Sequence, residues 1–159
     1  MLLTKKIKIT FVVSIITLGL IIFLTKGYLI VINKSDSLPL RWALIKKGVF
    51  PAKKGEIFAF FTDGGGFYKK KKVFVKKLAS RFGSVIEVEG DRVFVDGKYI
   101  GNIRQHSSSG KRINVNNQKI VKKRQYFAFA DHPRSFDSRY KEIGLINEKN
   151  IIGTAIFIF

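Results

Sequence analysis

Cysteine is absent from the 159 residues, and its absence removes three chemistries at once: a disulfide framework, a thiolate nucleophile and a Cys-based zinc site. Histidine is nearly absent. His106 and His132 are too few for a metal cage and form no plausible Ser-His-Asp set, so neither a metal nor a cofactor is expected. Acidic residues are scarce as well, 11 against 30 Lys and Arg, which leaves a formal net charge of +19 and excludes a neutral surface. Helical periodicity is weak beyond the N-terminus, and no repeat or low-complexity linker interrupts the chain. What is present is apolar: 46% of residues are hydrophobic and 15 are Phe, enough to fill one core of ordinary size, so the chain is no disordered basic tail.

Lys5, Lys6 and Lys8 precede an uncharged tract, Ile9 to Thr25, of about 17 residues, the short end of what crosses a bilayer. The apolar Gly27 to Ile32 extends it, with Lys26 able to snorkel. A cleaved signal peptide would need a shorter apolar core and a small-x-small cleavage site, and TKGYLIVIN supplies neither. The expected organisation is therefore a cytoplasmic N-terminus over 1–8, a membrane anchor over 9–32 and one domain over 33–159. Three lysines on the short side keep the N-terminus inside, and long domains translocate largely regardless of charge. This places the domain outside the cytoplasmic membrane, which the chain crosses once.

Beyond Val49 the apolar runs are short, β-branched or aromatic, and punctuated by Gly, Asn and Asp. They predict strands at Glu56–Phe61, Val73–Ala79, Val85–Glu89, Arg92–Val95, Tyr99–Ile103, Tyr126–Ala130 and Ile151–Phe159. Asp96-Gly97 supplies the positive φ of a two-residue hairpin turn. The expected fold is mostly β and antiparallel, closed or barrel-like so that few edges stay bare.

Candidate chemistry begins just after the anchor, where Ser35 and Ser37 precede Pro39. A serine nucleophile without a histidine partner directs attention to lysine, which serves as a base when burial and neighbouring positive charge disfavour its ammonium form. The run from Lys69 to Lys77 offers several. Strand alternation places Lys72, Phe74, Lys76 and Leu78 on one face and Val73, Val75, Lys77 and Ala79 on the other, without choosing between Lys76 and Lys77. A solvated edge strand would use lysines in the same way. Trp42 suits either a cleft wall or a membrane interface.

A third segment makes the pattern specific. Ser135 to Tyr140 (SFDSRY) resembles the S-x-D-S-R box of the type I signal peptidases, and Asp131-His132-Pro133 resembles its form in their TraF-like (also TrhF-like) conjugative branch. In the same order, Ser37-Leu38-Pro39 resembles the S-x-P nucleophile motif, Lys54-Gly55-Glu56-Ile57 a K-G-D strand start, and Lys76-Lys77-Leu78-Ala79 the motif whose first lysine is the base. Val93 to Gly97 is similar to the family's V-x-V-N-G hairpin, and Ile152 to Ala155 to its closing V-G-R-A strand. The resemblance implies a signal-peptidase-like β domain and a serine endopeptidase with a Ser37/Lys76 dyad. It further implies that Ser135 orients the lysine, that Asp137 and Arg139 pair to hold the loop, and that Ser35 joins the Ser37 N–H at the oxyanion. Phe74, Leu78 and Lys72 would together lower the Lys76 pKa.

The chain departs from the branch at Leu40-Arg41-Trp42, where glycine is usual and the cleft floor is shaped, at Phe82-Gly83-Ser84 in place of P-G-D, and at Glu56 in place of aspartate. The branch implies a conjugative pilin precursor as substrate, released by hydrolysis or by cyclisation. Two other readings stand beside it: a general leader peptidase for secreted proteins, and a basic, non-enzymatic component of a transfer apparatus. Nucleic acid is not expected as a partner, because no helix-turn-helix or aromatic-basic RNA motif accompanies the charge. Anionic lipid beside the anchor is, at up to about 1 kcal/mol per basic residue.

Overall fold

The computed structural model describes residues 2–69, 71–107 and 109–159. Among the described residues one α-helix, α1 (Leu2–Gly27), leads into ten strands, with a short 3-10 turn, Glu148–Asn150, before the last. These are β1 (Tyr28–Ile32), β2 (Trp42–Lys47), β3 (Ile57–Thr62), β4 (Lys72–Arg81), β5 (Ile86–Glu89), β6 (Arg92–Val95), β7 (Lys98–Asn102), β8 (Gln125–Phe129), β9 (Ile146–Asn147) and β10 (Ile151–Ile158). Within α1, Ile9–Gly27 has a mean hydropathy of 2.3 and none of it is buried. At about 1.5 Å per residue these 19 residues reach about 28 Å, long and apolar enough to cross a membrane.

The apolar tract does not run on as helix to Ile32. It divides at Gly27, and Tyr28–Ile32 pairs with β2 from Tyr28↔Lys46 to Ile32↔Trp42. A β-branched run finds a pleated partner there, and Lys47 Nζ caps the helix end by donating to the Thr25 carbonyl at 2.7 Å.

Seven strands form one antiparallel sheet in the order β1-β2-β10-β3-β4-β8-β9, and β5-β6-β7 form a second. The ladder ends at β1 and β9, so among the described residues the large sheet is open rather than closed into a barrel. Bulges between Leu78 and Ser80 and between Ala155 and Phe157 bend it instead. The Asp96-Gly97 turn forms as expected, with φ of 51° and 72° and Val95 facing Lys98.

Both faces of the central strands are covered. Phe58, Phe60, Leu78, Tyr126 and Ala128 pack on one side, while Ala79, Ile86, Val93, Val95 and Phe127 join the small sheet to the large one on the other. Gly153 lets β10 lie against β2, because a Cβ there would overlap the Lys46 carbonyl oxygen. Gly153→Ala is therefore expected to cost about 1 to 3 kcal/mol as the strands are forced apart, read as a lower melting temperature by circular dichroism.

Candidate active site

The loop between β1 and β2, residues 33–41, carries the serines. Ser37 is 8% exposed, and its Oγ lies 3.0 Å from the Oγ of the exposed Ser35. The side chain of Asn33, at the base of the loop, closes it. Its Nδ2 donates to the Leu38 and Leu40 carbonyls at 3.1 Å each, and its Oδ1 accepts from the Ser35 N–H at 3.2 Å and from Ser35 Oγ at 3.1 Å. Among the described residues the Ser37 N–H donates to no protein group, which leaves it open to an incoming oxygen.

Lys76 reaches the site from the middle of β4, facing Phe58 across the ladder with Phe74 and Leu78 on its own strand face. It is 4% exposed, its Nζ stands 5.7 Å from the Phe74 ring centre, and it donates to Ser135 Oγ at 2.9 Å. Burial lowers its pKa from 10.5 to about 8; the Asp137 carboxylate pulls it back up and the Arg139 guanidinium pushes it further down. The neighbouring cation is thus Arg139, not Lys72 as the strand pattern suggested. Lys72 Nζ instead lies over the Tyr68 ring, 4.5 Å from its centre. Lys77 takes the opposite face and pairs with Asp131, so the strand itself separates the two lysines.

The loop after β8 supplies the rest. Asp137 and Arg139 are both fully buried and paired through two bonds of 2.9 Å, Arg139 Nε to Oδ1 and Nη2 to Oδ2. The remaining groups of the pair are also met: Arg139 Nη1 donates to the Asn102 carbonyl at 3.0 Å and Nη2 to that of Ser135 at 3.3 Å, while Asp137 Oδ2 accepts from the Ala130 N–H at 3.2 Å. A pair this fully hydrogen-bonded fixes the backbone from which Ser135 meets Lys76. His132 Nδ1 accepts from the Arg134 N–H at 3.1 Å, a contact within the loop.

Several supporting residues escaped the sequence reading. Gly101, with φ of 146°, lies where any Cβ would overlap Arg139 Nη1. Ser138 Oγ accepts from the Ala128 N–H at 3.0 Å, and the buried Asn116 holds the Ser138 carbonyl at 2.9 Å. Gly101 had a visible cue, a glycine inside a strand, and Ser138 stands within the S-x-D-S-R box itself. Asp96 links two of the departing segments: it accepts from Lys54 Nζ at 2.7 Å, Ser84 Oγ at 2.8 Å and the Val85 N–H at 2.9 Å, and these bonds, the lysine's first, hold its carboxyl below the usual range. Glu56 accepts from the Ala52 and Lys53 N–H groups, which lower its pKa in turn.

Ser35, Ser37, Lys76 and Ser135 all line one cavity of about 670 Å³, walled by Val31, Tyr68, Val73, Val75 and Phe136. Asp137 and Arg139 stand behind it. Trp42 is not among the lining residues and stacks on Phe159 at 3.9 Å. Among the described residues no group of three His, Asp or Glu is placed to hold a metal ion. A buried serine and a buried lysine of lowered pKa that line one cavity can carry out acyl transfer.

The family described as "Signal peptidase, peptidase S26" has a model that matches residues 3–159. Signal peptidase I of Bacillus amyloliquefaciens is 32% identical over 94 residues, covering 54% of this chain and 48% of that protein, so the chain spans about half the length of the curated relative it matches. The crystal structure of a signal peptidase I from Enterococcus faecalis superposes with a TM-score of 0.45 and 19% identity, over 67% of this chain and 98% of that one.

Proposed function

The chain belongs to the signal peptidase family, and from that premise we propose that it is a membrane-anchored serine endopeptidase that cuts exported precursor peptides through an acyl-enzyme on Ser37. The observation that carries this reading is the shared cavity in which Ser37 is buried near the low-pKa Lys76.

Neutral Lys76 takes the proton of Ser37 as Oγ bonds to the scissile carbonyl carbon, whose oxygen becomes an oxyanion held by the Ser37 N–H and Ser35. Collapse breaks the C–N bond, and the leaving amine takes the proton from Lys76. The acyl group is then transferred from Ser37 to water or to an amine, with Lys76 accepting the nucleophile's proton and returning it to Ser37. Ser135 holds Lys76 in place through both steps. The anchor keeps the site near the bilayer, and with Lys5, Lys6 and Lys8 inside, the domain faces the periplasm of a bacterial inner membrane. Basic residues near the anchor then meet anionic lipid.

The precursor that the sequence favours is a conjugative pilin, because Ser37-Leu38-Pro39 and Asp131-His132-Pro133 resemble the TraF-like branch. Whether water or the pilin's own amine resolves acyl-Ser37 depends on which is positioned first. Coexpression with a pre-pilin and, separately, with a general secretory precursor tests the assignment. Preferential cutting of the pilin supports it, and a mature pilin lighter by one water than its linear form marks cyclisation. Equal cutting of both precursors makes the chain a general leader peptidase, and full processing by Ser37→Ala overturns the acyl-enzyme on Ser37; salt-dependent DNA binding beside it would support the non-enzymatic reading.

A further inference from the structure

Donor accounting in the serine loop gives more than its shape. A serine hydroxyl has one proton and an amide oxygen has none, so the 3.1 Å contact between Ser35 Oγ and Asn33 Oδ1 is made by the Ser35 proton. With that proton used, the 3.0 Å contact between Ser35 and Ser37 has one assignment left: Ser37 donates to Ser35. Asn33 is itself fixed in orientation, because its Nδ2 faces the Leu38 and Leu40 carbonyls, which only accept.

We infer that Asn33 is a positioning residue that sets the resting order of this chain, Ser37 to Ser35 to Asn33, and that it acts on acyl transfer through Ser35; the inference rests on Ser37 being the nucleophile. At rest the Ser37 proton is directed to Ser35, while Lys76 donates to Ser135. Among the described residues no hydrogen bond joins the two halves of the dyad at rest. A substrate carbonyl that enters the cavity offers the Ser35 proton a better acceptor than Asn33 Oδ1 as negative charge develops, and the Ser37 proton passes to Lys76. Asn33 Nδ2 keeps the Leu38 and Leu40 carbonyls in place throughout, so the loop frame outlasts the change of partner. Ser35 is exposed and lines the cavity, which leaves it room to turn.

The test is a double-mutant cycle with the full chain in detergent and a precursor peptide, using Asn33→Ala, Ser35→Ala and both together. Each single change is expected to lower kcat by about 10- to 100-fold with KM within about twofold, the scale of an oxyanion donor or its support. The double variant is expected to fall clearly short of the product of the single losses, because the part of Asn33 that acts through Ser35 is in series with it. Wild-type kcat in Asn33→Ala, or a double loss equal to the product of the single losses, overturns the inference. Ser37→Ala run beside them separates the premise: full activity there overturns the nucleophile assignment, whatever Asn33 does.

Discussion

Lys76→Ala is expected to lower precursor processing by at least about 1,000-fold, since removing a nucleophile or its base in serine hydrolases costs on the order of 10⁴ to 10⁶. Ser37→Ala belongs in the same class. Lys77→Ala is expected to stay within about threefold of wild type, because its partly exposed pair with Asp131 is of the kind worth little in solution. The contrast comes from strand geometry: adjacent lysines on β4 face opposite sides, and one of them enters the cavity. Cleavage followed by gel mobility in coexpressing cells reads all three. Processing that survives the Lys76 change and fails with the Lys77 change would overturn the assignment.

The same lysine sets a pH dependence. With a pKa of about 8, Lys76 is mostly protonated at pH 7 and mostly neutral at pH 9. In the proposed mechanism the neutral form is the base, so kcat/KM is expected to rise about tenfold per pH unit on the acid side and level off above about pH 8. A profile flat from pH 6 to pH 9 would remove Lys76 from the proton transfer.

Local chemistry made part of this visible beforehand. Asp96-Gly97 demands a turn wherever it sits between strands, and the alternation of Phe74, Lys76 and Leu78 requires a shared face. Tyr28–Ile32 was hidden for the opposite reason: five apolar residues directly after a membrane tract carry no period to separate helix from strand, and its partner β2 lies ten positions or more along the chain. The resemblance supplied Ser37, Ser135, Asp137 and Arg139 as names, and the structure gathers the two serines around the cavity with the ion pair behind them. What no local pattern supplied was the packing around that pair. Gly101 and Asn102 reach Arg139 across 37 positions or more, and Asn33 serves Ser35 through side-chain bonds that composition does not encode. Contacts of that kind arise only from the folded register.

Asp137→Ala is expected to be the most destabilising change in the domain, at about 3 to 5 kcal/mol, because it strands the Arg139 guanidinium in a fully buried site. Arg139 is held charged there: its pKa is raised, with the Asp137 bonds outweighing burial. Removing both charges relieves the problem, so Asp137→Leu combined with Arg139→Met is expected to melt above Asp137→Ala even though it carries one more substitution. A double variant no more stable than the single would mean that the pair's hydrogen bonds to Asn102 and Ala130, rather than its charge balance, hold the loop. Asp137→Asn separates stability from chemistry. Burial lowers the Lys76 pKa, the carboxylate raises it and Arg139 lowers it, so neutralising the carboxylate alone leaves Lys76 with only the two lowering influences. The acid limb of the pH profile is then expected to move to lower pH, toward a base that is neutral earlier and weaker. An unmoved limb would place Asp137 too far from the proton to act on it by charge, and would reduce its part to fixing the backbone that presents Ser135.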